Sequence, residues 1–64
     1  MPGLLQALHH PNANVRKNAV TVLGQLGQEA TIPNLVQLLD DPDAQVRGSV
    51  IDALGKIGVA ISAA

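Results

Sequence analysis

Residues 33–58, PNLVQLLDDPDAQVRGSVIDALGKIG, decide the fold, because residues 2–27 read PGLLQALHHPNANVRKNAVTVLGQLG, the same pattern displaced by 31 positions without a gap. Of the 26 aligned pairs, 11 are identical, and others exchange like for like, such as Val20 with Ile51. A repeat of this length is typical of stacked supersecondary units rather than of an enzyme core. The period predicts one domain over residues 1–64, with repeat 1 at about 1–31 and repeat 2 at about 32–64.

Each repeat has the pattern of two helices joined by a turn. In repeat 2, apolar residues recur at helical spacing from Ile32, stop at Asp40 and resume at Val46. The predicted fold is therefore all-α, an α-solenoid fragment of two antiparallel helix pairs. The four predicted helices lie at about 2–9, 13–26, 32–40 and 44–57.

Proline and the residue after it predict the turn between the helices. Proline has no N–H to donate to a continuing helix, and the next side chain can accept from the first free amides as an N-cap. The two pairs are Pro11 with Asn12 and Pro42 with Asp43. Gly27 and Gly58 follow the last apolar position of each second helix, where a left-handed C-cap is predicted. Gly24 and Gly55 lie inside those helices, where close helix approach is the best explanation of a residue that costs about 1 kcal/mol against alanine.

Both second helices share Val-Arg after the turn, then small residues, Leu-Gly and a final Gly. The Val-Arg pairs are Val15-Arg16 and Val46-Arg47, and the Leu-Gly pairs are Leu23-Gly24 and Leu54-Gly55. This pattern resembles HEAT-like repeats of the short phycobilisome-lyase type over residues 1 to about 58. The chain departs from that family at His9-His10, where an acidic residue is usual, and at Asn18 and Ser49, where alanine is typical.

Arg16 and Arg47 occupy the same position in the two repeats. The resemblance implies a structural role, in which each guanidinium ties one turn to the next by bonding turn carbonyls or Asp43. The alternative is a small basic ladder that binds phosphate or carboxylate. The structural set predicted on this basis is Pro11, Asn12, Arg16, Pro42, Asp43 and Arg47.

Composition narrows the classes of function. The 64 residues contain no cysteine and no aromatic residue, and the net charge is -1. Disulfides, cysteine-based metal sites, base stacking and an electrostatic grip on nucleic acid or anionic membranes are therefore not expected. Neither a secretory leader nor a membrane span is apparent, so a cytoplasmic location is expected.

His9-His10 is the strongest candidate for metal chemistry, but adjacent imidazoles rarely chelate one ion well. Asp40 and Asp41 on the next turn would lie roughly 10 Å away, which favours a solvated turn over a metal site. No catalytic constellation, phosphate loop or cofactor motif is present in the sequence. We therefore predict no catalytic, cofactor-binding or metal-binding residues and no enzymatic activity.

The exposed side of the second helices is the predicted protein-binding surface, since these helices line the concave layer of a solenoid. Its residues are Lys17, Thr21, Gln25, Gly48, Asp52 and Lys56. A hydrophobic content of 47% in so short a chain also predicts self-association, with a closed dimer favoured over an open filament. The apolar end faces expected to seek cover carry Met1, Leu4, Leu5, Leu8, Val50, Ile51, Val59 and Ile61.

Three functions from different classes remain open. The first is a protein-interaction or scaffold module, which is favoured because the repeat accounts for nearly every residue. The second, which rests on the resemblance alone, is an accessory part of a bilin lyase or phycobilisome-handling protein. The third is a purely structural unit that assembles only with itself.

Overall fold

The computed structural model describes residues 2–63, and within them the chain forms four α-helices and no strand. We label the helices α1 (Pro2–Ala7), α2 (Ala13–Leu26), α3 (Ile32–Val36) and α4 (Ala44–Ala63). Two 3-10 segments flank α3, at Glu29–Thr31 and Gln37–Asp40. The predicted all-α repeat architecture is confirmed.

The two repeats share one hydrophobic core. The most extensive contact between helices joins α2 to α4, and α1 and α3 pack on their own second helices. The buried apolar residues are Leu8, Ala19, Val20, Leu23, Leu35, Leu38, Val46, Val50, Ala53 and Ile57. Six of these ten come from repeat 2, so burial is distributed unequally between two repeats of similar sequence. Among the described residues, no helix is both long and apolar enough to cross a membrane.

Both ends of α2 lie where the sequence predicts them. Gly27 has φ 65° and ψ 26°, and its N–H donates to the carbonyls of Leu23 and Gly24. The left-handed conformation, which glycine adopts without a Cβ penalty, satisfies carbonyls at the helix end.

The matching end in repeat 2 does not form. Gly58 lies inside α4, which continues to Ala63, so the predicted C-cap at Gly58 and the predicted end of this helix at residue 57 are wrong. A glycine permits the left-handed turn but does not require it. Val59, Ala60 and Ile61 are compatible with helix and continue it.

The end of α1 and the burial of two apolar residues also differ from the predictions. The first helix ends at Ala7, before the predicted residue 9. Leu8 and Val50, expected on open end faces, are buried at 1% and 0% exposure because both face the core shared by the repeats. Leu5, Ile51, Val59 and Ile61 are exposed, and Leu4 is half-buried. Met1 lies outside the described residues.

Candidate protein-binding interface

The turn within each repeat, between α1 and α2 and between α3 and α4, carries an N-cap directly after a proline. The Asn12 Oδ1 accepts from the Asn14 N–H at 2.8 Å. The Asp43 Oδ1 accepts from the N–H groups of Gln45 and Val46 at 2.8 and 3.2 Å. Each cap satisfies amides that have no partner within their own helix.

Arg16 ties the two turns together through three nitrogens. Its Nε donates to Asp41 Oδ2 at 2.8 Å and its Nη2 donates to Asp41 Oδ1 at 3.1 Å, a bidentate pair. Its Nη1 donates to the carbonyls of His10 and Pro11 at 2.8 and 2.9 Å. Of the two expected kinds of partner, Arg16 bonds the turn carbonyls, and the carboxylate that it binds is Asp41 rather than Asp43.

Asp41 is buried, with a side chain that is 3% exposed, whereas His9 and His10, for which the sequence predicts a solvated turn, are exposed. Burial by itself raises the pKa of this carboxyl. Hydrogen bonds from Arg16 and from the Asp43 N–H, together with the charges of Arg16 and Arg47, outweigh that effect and hold the pKa of Asp41 below its ordinary value. Asp41 is therefore a buried carboxylate whose charge is stabilised by these partners. The sequence of the turn alone does not predict it, because Arg16 lies in the other repeat.

His10 occupies the position in repeat 1 that Asp41 occupies in repeat 2. Its Nδ1 accepts from the Asn12 N–H at 3.0 Å, just as Asp41 Oδ1 accepts from the Asp43 N–H at 2.9 Å. The imidazole therefore reproduces the local turn without supplying a carboxylate. Within residues 2–63, no three His, Asp or Glu side chains are grouped so that they could hold a metal ion.

Arg47 keeps only the local part of the contacts made by Arg16. Its Nη1 donates to the Asp41 carbonyl at 2.7 Å, which matches the bond from Arg16 to the His10 carbonyl. Within the described part of the chain, the Nε and Nη2 of Arg47 donate to no acceptor, and the residue is exposed. The side chain thus lacks the bidentate carboxylate that buries its counterpart.

The surface around Arg47 repeats, in exposed form, the surface by which repeat 1 contacts repeat 2. Val20 is 0% exposed and its counterpart Ile51 is 65% exposed, while Leu8 at 1% matches Leu39 at 38%. We call this surface of repeat 2 the ridge face. It consists of Leu39, Arg47, Ile51, Leu54 and Gly55.

The two helix-interior glycines show the same contrast. A Cβ built on Gly24 would lie 2.7 Å from the Ala53 Cβ, so the lack of a side chain lets α2 approach α4 closely. A Cβ on Gly55 meets nothing within 4 Å. Close helix approach, predicted for both, therefore occurs at Gly24 and is wrong for Gly55.

The predicted polar binding set is divided between α2 and α4. Asp52 and Lys56 line a shallow groove on α4 together with Ile51, Gly55 and Val59. These two charged side chains form an exposed ion pair at 3.4 Å, a kind of contact that contributes little stability. The remaining predicted residues lie apart from this groove, with Lys17 half-buried and Thr21, Gln25 and Gly48 exposed.

Paired helices stacked at a fixed period around a shared core define an α-solenoid repeat protein. The chain belongs to the HEAT repeat family, whose model matches residues 1–64. The match is to HEAT repeats in general and does not distinguish the phycobilisome-lyase type. None of the curated proteins matches this sequence. HEAT repeats generally mediate protein–protein interaction or scaffolding and are typically non-catalytic.

Proposed function

We propose that this chain is a non-catalytic protein-binding module and that the ridge face is its principal binding surface. The observation that carries the proposal is the exposure of Ile51 at a position whose counterpart, Val20, is fully buried in the shared core. An exposed aliphatic patch beside an arginine is the composition of a site that another protein covers. Asp52 and Lys56 of the predicted polar set border it and add a polar rim.

Paired substitutions test this assignment against the polar surface of α2. Partners captured from cells by the wild-type chain are compared with those captured by an Ile51→Asp variant and by a Thr21→Asp control. Both changes add one carboxylate at an exposed helical position, so general effects of charge are matched. We expect an identified partner to be lost only from Ile51→Asp. Loss only from Thr21→Asp would move the site to the Lys17, Thr21 and Gln25 side, and retention by both variants would contradict the ridge face.

Self-association, as a closed dimer, is a second proposed property, and the opposite end of the chain supports it. A groove there, which we call the first-repeat groove, is lined by Leu4, Ala7, Val15, Asn18, Ala19 and Val22. It contains no charged side chain, so two copies can face each other without like-charge repulsion. A standard interface of about 800 Å² per partner would cover about a fifth of the 3981 Å² accessible surface of the chain.

Light scattering coupled to size exclusion at several concentrations tests the dimer, with Val22→Glu as the variant that should dissociate it. A mass fixed at 6.6 kDa, with a melting temperature independent of concentration, would contradict self-association. A purely structural role would leave the dimer as the only complex. A bilin-lyase accessory role rests on resemblance, and absorbance after mixing with phycocyanobilin and an apo-phycobiliprotein tests it.

A further inference from the structure

We propose that the closed dimer forms by two-fold pairing of the first-repeat groove, and that the side-chain amide of Asn18 pairs at the axis with the Asn18 amide of a second copy. The inference rests on the proposed self-association, because it names the residue that sets how the two copies are aligned. The occupant of the groove is a second copy of this chain, whose α2 runs antiparallel to the α2 that it contacts.

Asn18 is the polar residue of an otherwise apolar groove. The other lining residues are leucine, alanine and valine. Asn18 is exposed, and within residues 2–63 its side-chain amide has no hydrogen-bond partner. A surface that covers the groove removes water from this amide, which is costly unless that surface returns a donor and an acceptor. The groove therefore requires a partner with a polar group opposite Asn18.

An asparagine amide is complementary to itself. It carries an NH2 donor and a carbonyl acceptor, so two amides related by a two-fold axis each donate to the carbonyl of the other. A single asparagine in an apolar helix interface sets the register and the number of chains, because other alignments leave it unpaired. None of the six lining side chains is charged, so two copies bring no like charges together at the groove.

The two valines of the groove fit an antiparallel alignment centred on Asn18. Val15 lies three positions before Asn18 and Val22 lies four positions after it. At a rise of about 1.5 Å per residue, Val15 of one copy therefore lies within about 1.5 Å of the height of Val22 of the other. This pairing covers Val22, which is 42% exposed in the single chain. The contact thus combines a polar axis with apolar packing on both sides of it.

Repeat 2 uses the equivalent positions for a different contact. Val22 corresponds to Ala53, which is 2% exposed and lies against Gly24. Asn18 corresponds to Ser49, which is half-buried. Alanine permits the close approach of α4 to α2, whereas valine, with two additional methyl groups, prevents an approach of that kind. The first-repeat groove is therefore shaped for a contact other than the one between the two repeats.

A cysteine at the axis tests the alignment directly, because the chain contains no cysteine of its own. In an antiparallel pair centred on residue 18, helices packed about 8–10 Å apart bring the two Cα atoms of that residue within the roughly 7 Å that a disulfide spans. The two copies of residue 21 are separated by about 9 Å along the helix axis alone. Thr21→Cys, at an exposed position of the same helix, is therefore the matched control for Asn18→Cys.

The rate of disulfide formation in air is followed on non-reducing gels. We expect Asn18→Cys to form a covalent dimer at least about tenfold faster than Thr21→Cys, because only assembled copies hold the two thiols together. Equal rates would overturn the two-fold alignment, and faster linkage through Thr21→Cys would overturn it as well.

An exchange of amide for carboxylate tests the pairing itself. Asn18→Asp keeps the shape of the side chain, removes both donors and places two like charges across the axis. Gln45→Glu makes the same change at an exposed position of α4, outside the groove. By analytical ultracentrifugation, we expect the Kd of the dimer to rise at least about tenfold for Asn18→Asp and less than about threefold for Gln45→Glu. Equal effects of the two variants, or an unchanged Kd for Asn18→Asp, would overturn the amide pair.

The two proposals fail in different ways. A dimer that Val22→Glu dissociates but Asn18→Asp leaves intact would uphold self-association through the first-repeat groove and overturn the role of Asn18. A wild-type chain that stays monomeric at every concentration would overturn the self-association and, with it, the pairing. Asn18 is exposed, so its variants should keep the helical fold, and circular dichroism checks this before their association is compared.

Discussion

Replacing Gly24 by alanine should destabilise the chain, whereas the same change at Gly55, the matching position of repeat 2, should stabilise it. A Cβ at Gly24 would lie 2.7 Å from the Ala53 Cβ and 2.8 Å from the Ala53 Cα. Carbon atoms pack at about 3.5–4.0 Å, so α2 and α4 would have to separate by roughly one ångström. A Cβ at Gly55 meets nothing within 4 Å, so no helix has to move.

The magnitudes result from two opposing effects. Exchanging glycine for alanine in a helix interior stabilises by about 1 kcal/mol, and this gain applies at both positions. Overpacking costs about 1–3 kcal/mol, and at Gly24 the upper part of that range applies because the obstacle includes backbone. We therefore expect Gly24→Ala to lose about 1–2 kcal/mol and Gly55→Ala to gain about 1 kcal/mol. For a domain of this size, the melting temperatures should differ by roughly 10–20 °C.

Thermal and urea unfolding followed by far-ultraviolet circular dichroism measures both variants against the wild type. Several protein concentrations are needed, because association would contribute to the apparent stability. A Gly24→Ala chain that melts at or above the wild-type temperature would refute the close approach of α2 to α4. A Gly55→Ala chain that melts below it would show that the ridge face is already covered in solution.

Three further predictions concern the turns. Because the folded-state pKa of Asp41 is lowered, the stability contributed by its charge should be complete above the ordinary aspartate pKa of about 3.9 and lost as the pH falls through the folded value. The difference in stability between wild type and Asp41→Asn, about 2 kcal/mol at neutral pH, should shrink over that acidic range when both are melted across a pH series. Asp43→Ala should cost about 1 kcal/mol in urea unfolding through the lost cap, with m unchanged. Arg16→Gln should lower the melting temperature more than Arg47→Gln, since only Arg16 binds a buried carboxylate, and equal losses would contradict this difference.

Local chemistry predicted the parts of the fold that depend on a few neighbouring residues. The cap at Asn12 and the left-handed turn at Gly27 each involve residues within a helical turn, so the sequence contains the full signal. Gly58 has the same local pattern as Gly27, yet α4 continues through it. The residues after the two glycines differ, since Gln28 is extended with φ -88° and ψ 119° and directs the chain into repeat 2, whereas apolar residues after Gly58 continue the helix.

Burial and long-range pairing could not be predicted in the same way. Asp41 reads locally as a turn residue, and only its contact with Arg16, 25 positions earlier, makes it a buried anion. Leu8 and Leu39 are identical in type and repeat position, yet one is buried and the other is exposed. Which of two equivalent residues is covered depends on the neighbouring repeat, and a periodic pattern predicts the same burial for both.

Identical repeats that stack by one interface tend to continue stacking, since a head-to-tail contact that does not close leaves a new end at every addition. The two repeats here are alike at positions such as Arg16 and Arg47, and they differ at the turn position that is His10 in repeat 1 and Asp41 in repeat 2. His10 preserves its turn through Nδ1 but supplies no carboxylate, whereas Asp41 supplies the carboxylate that Arg16 binds. One substitution can thus leave the local turn of a repeat intact and remove its charged contact with a neighbouring repeat. The departures from the repeat, rather than the pattern that both copies share, therefore account for the different contacts of the two turns.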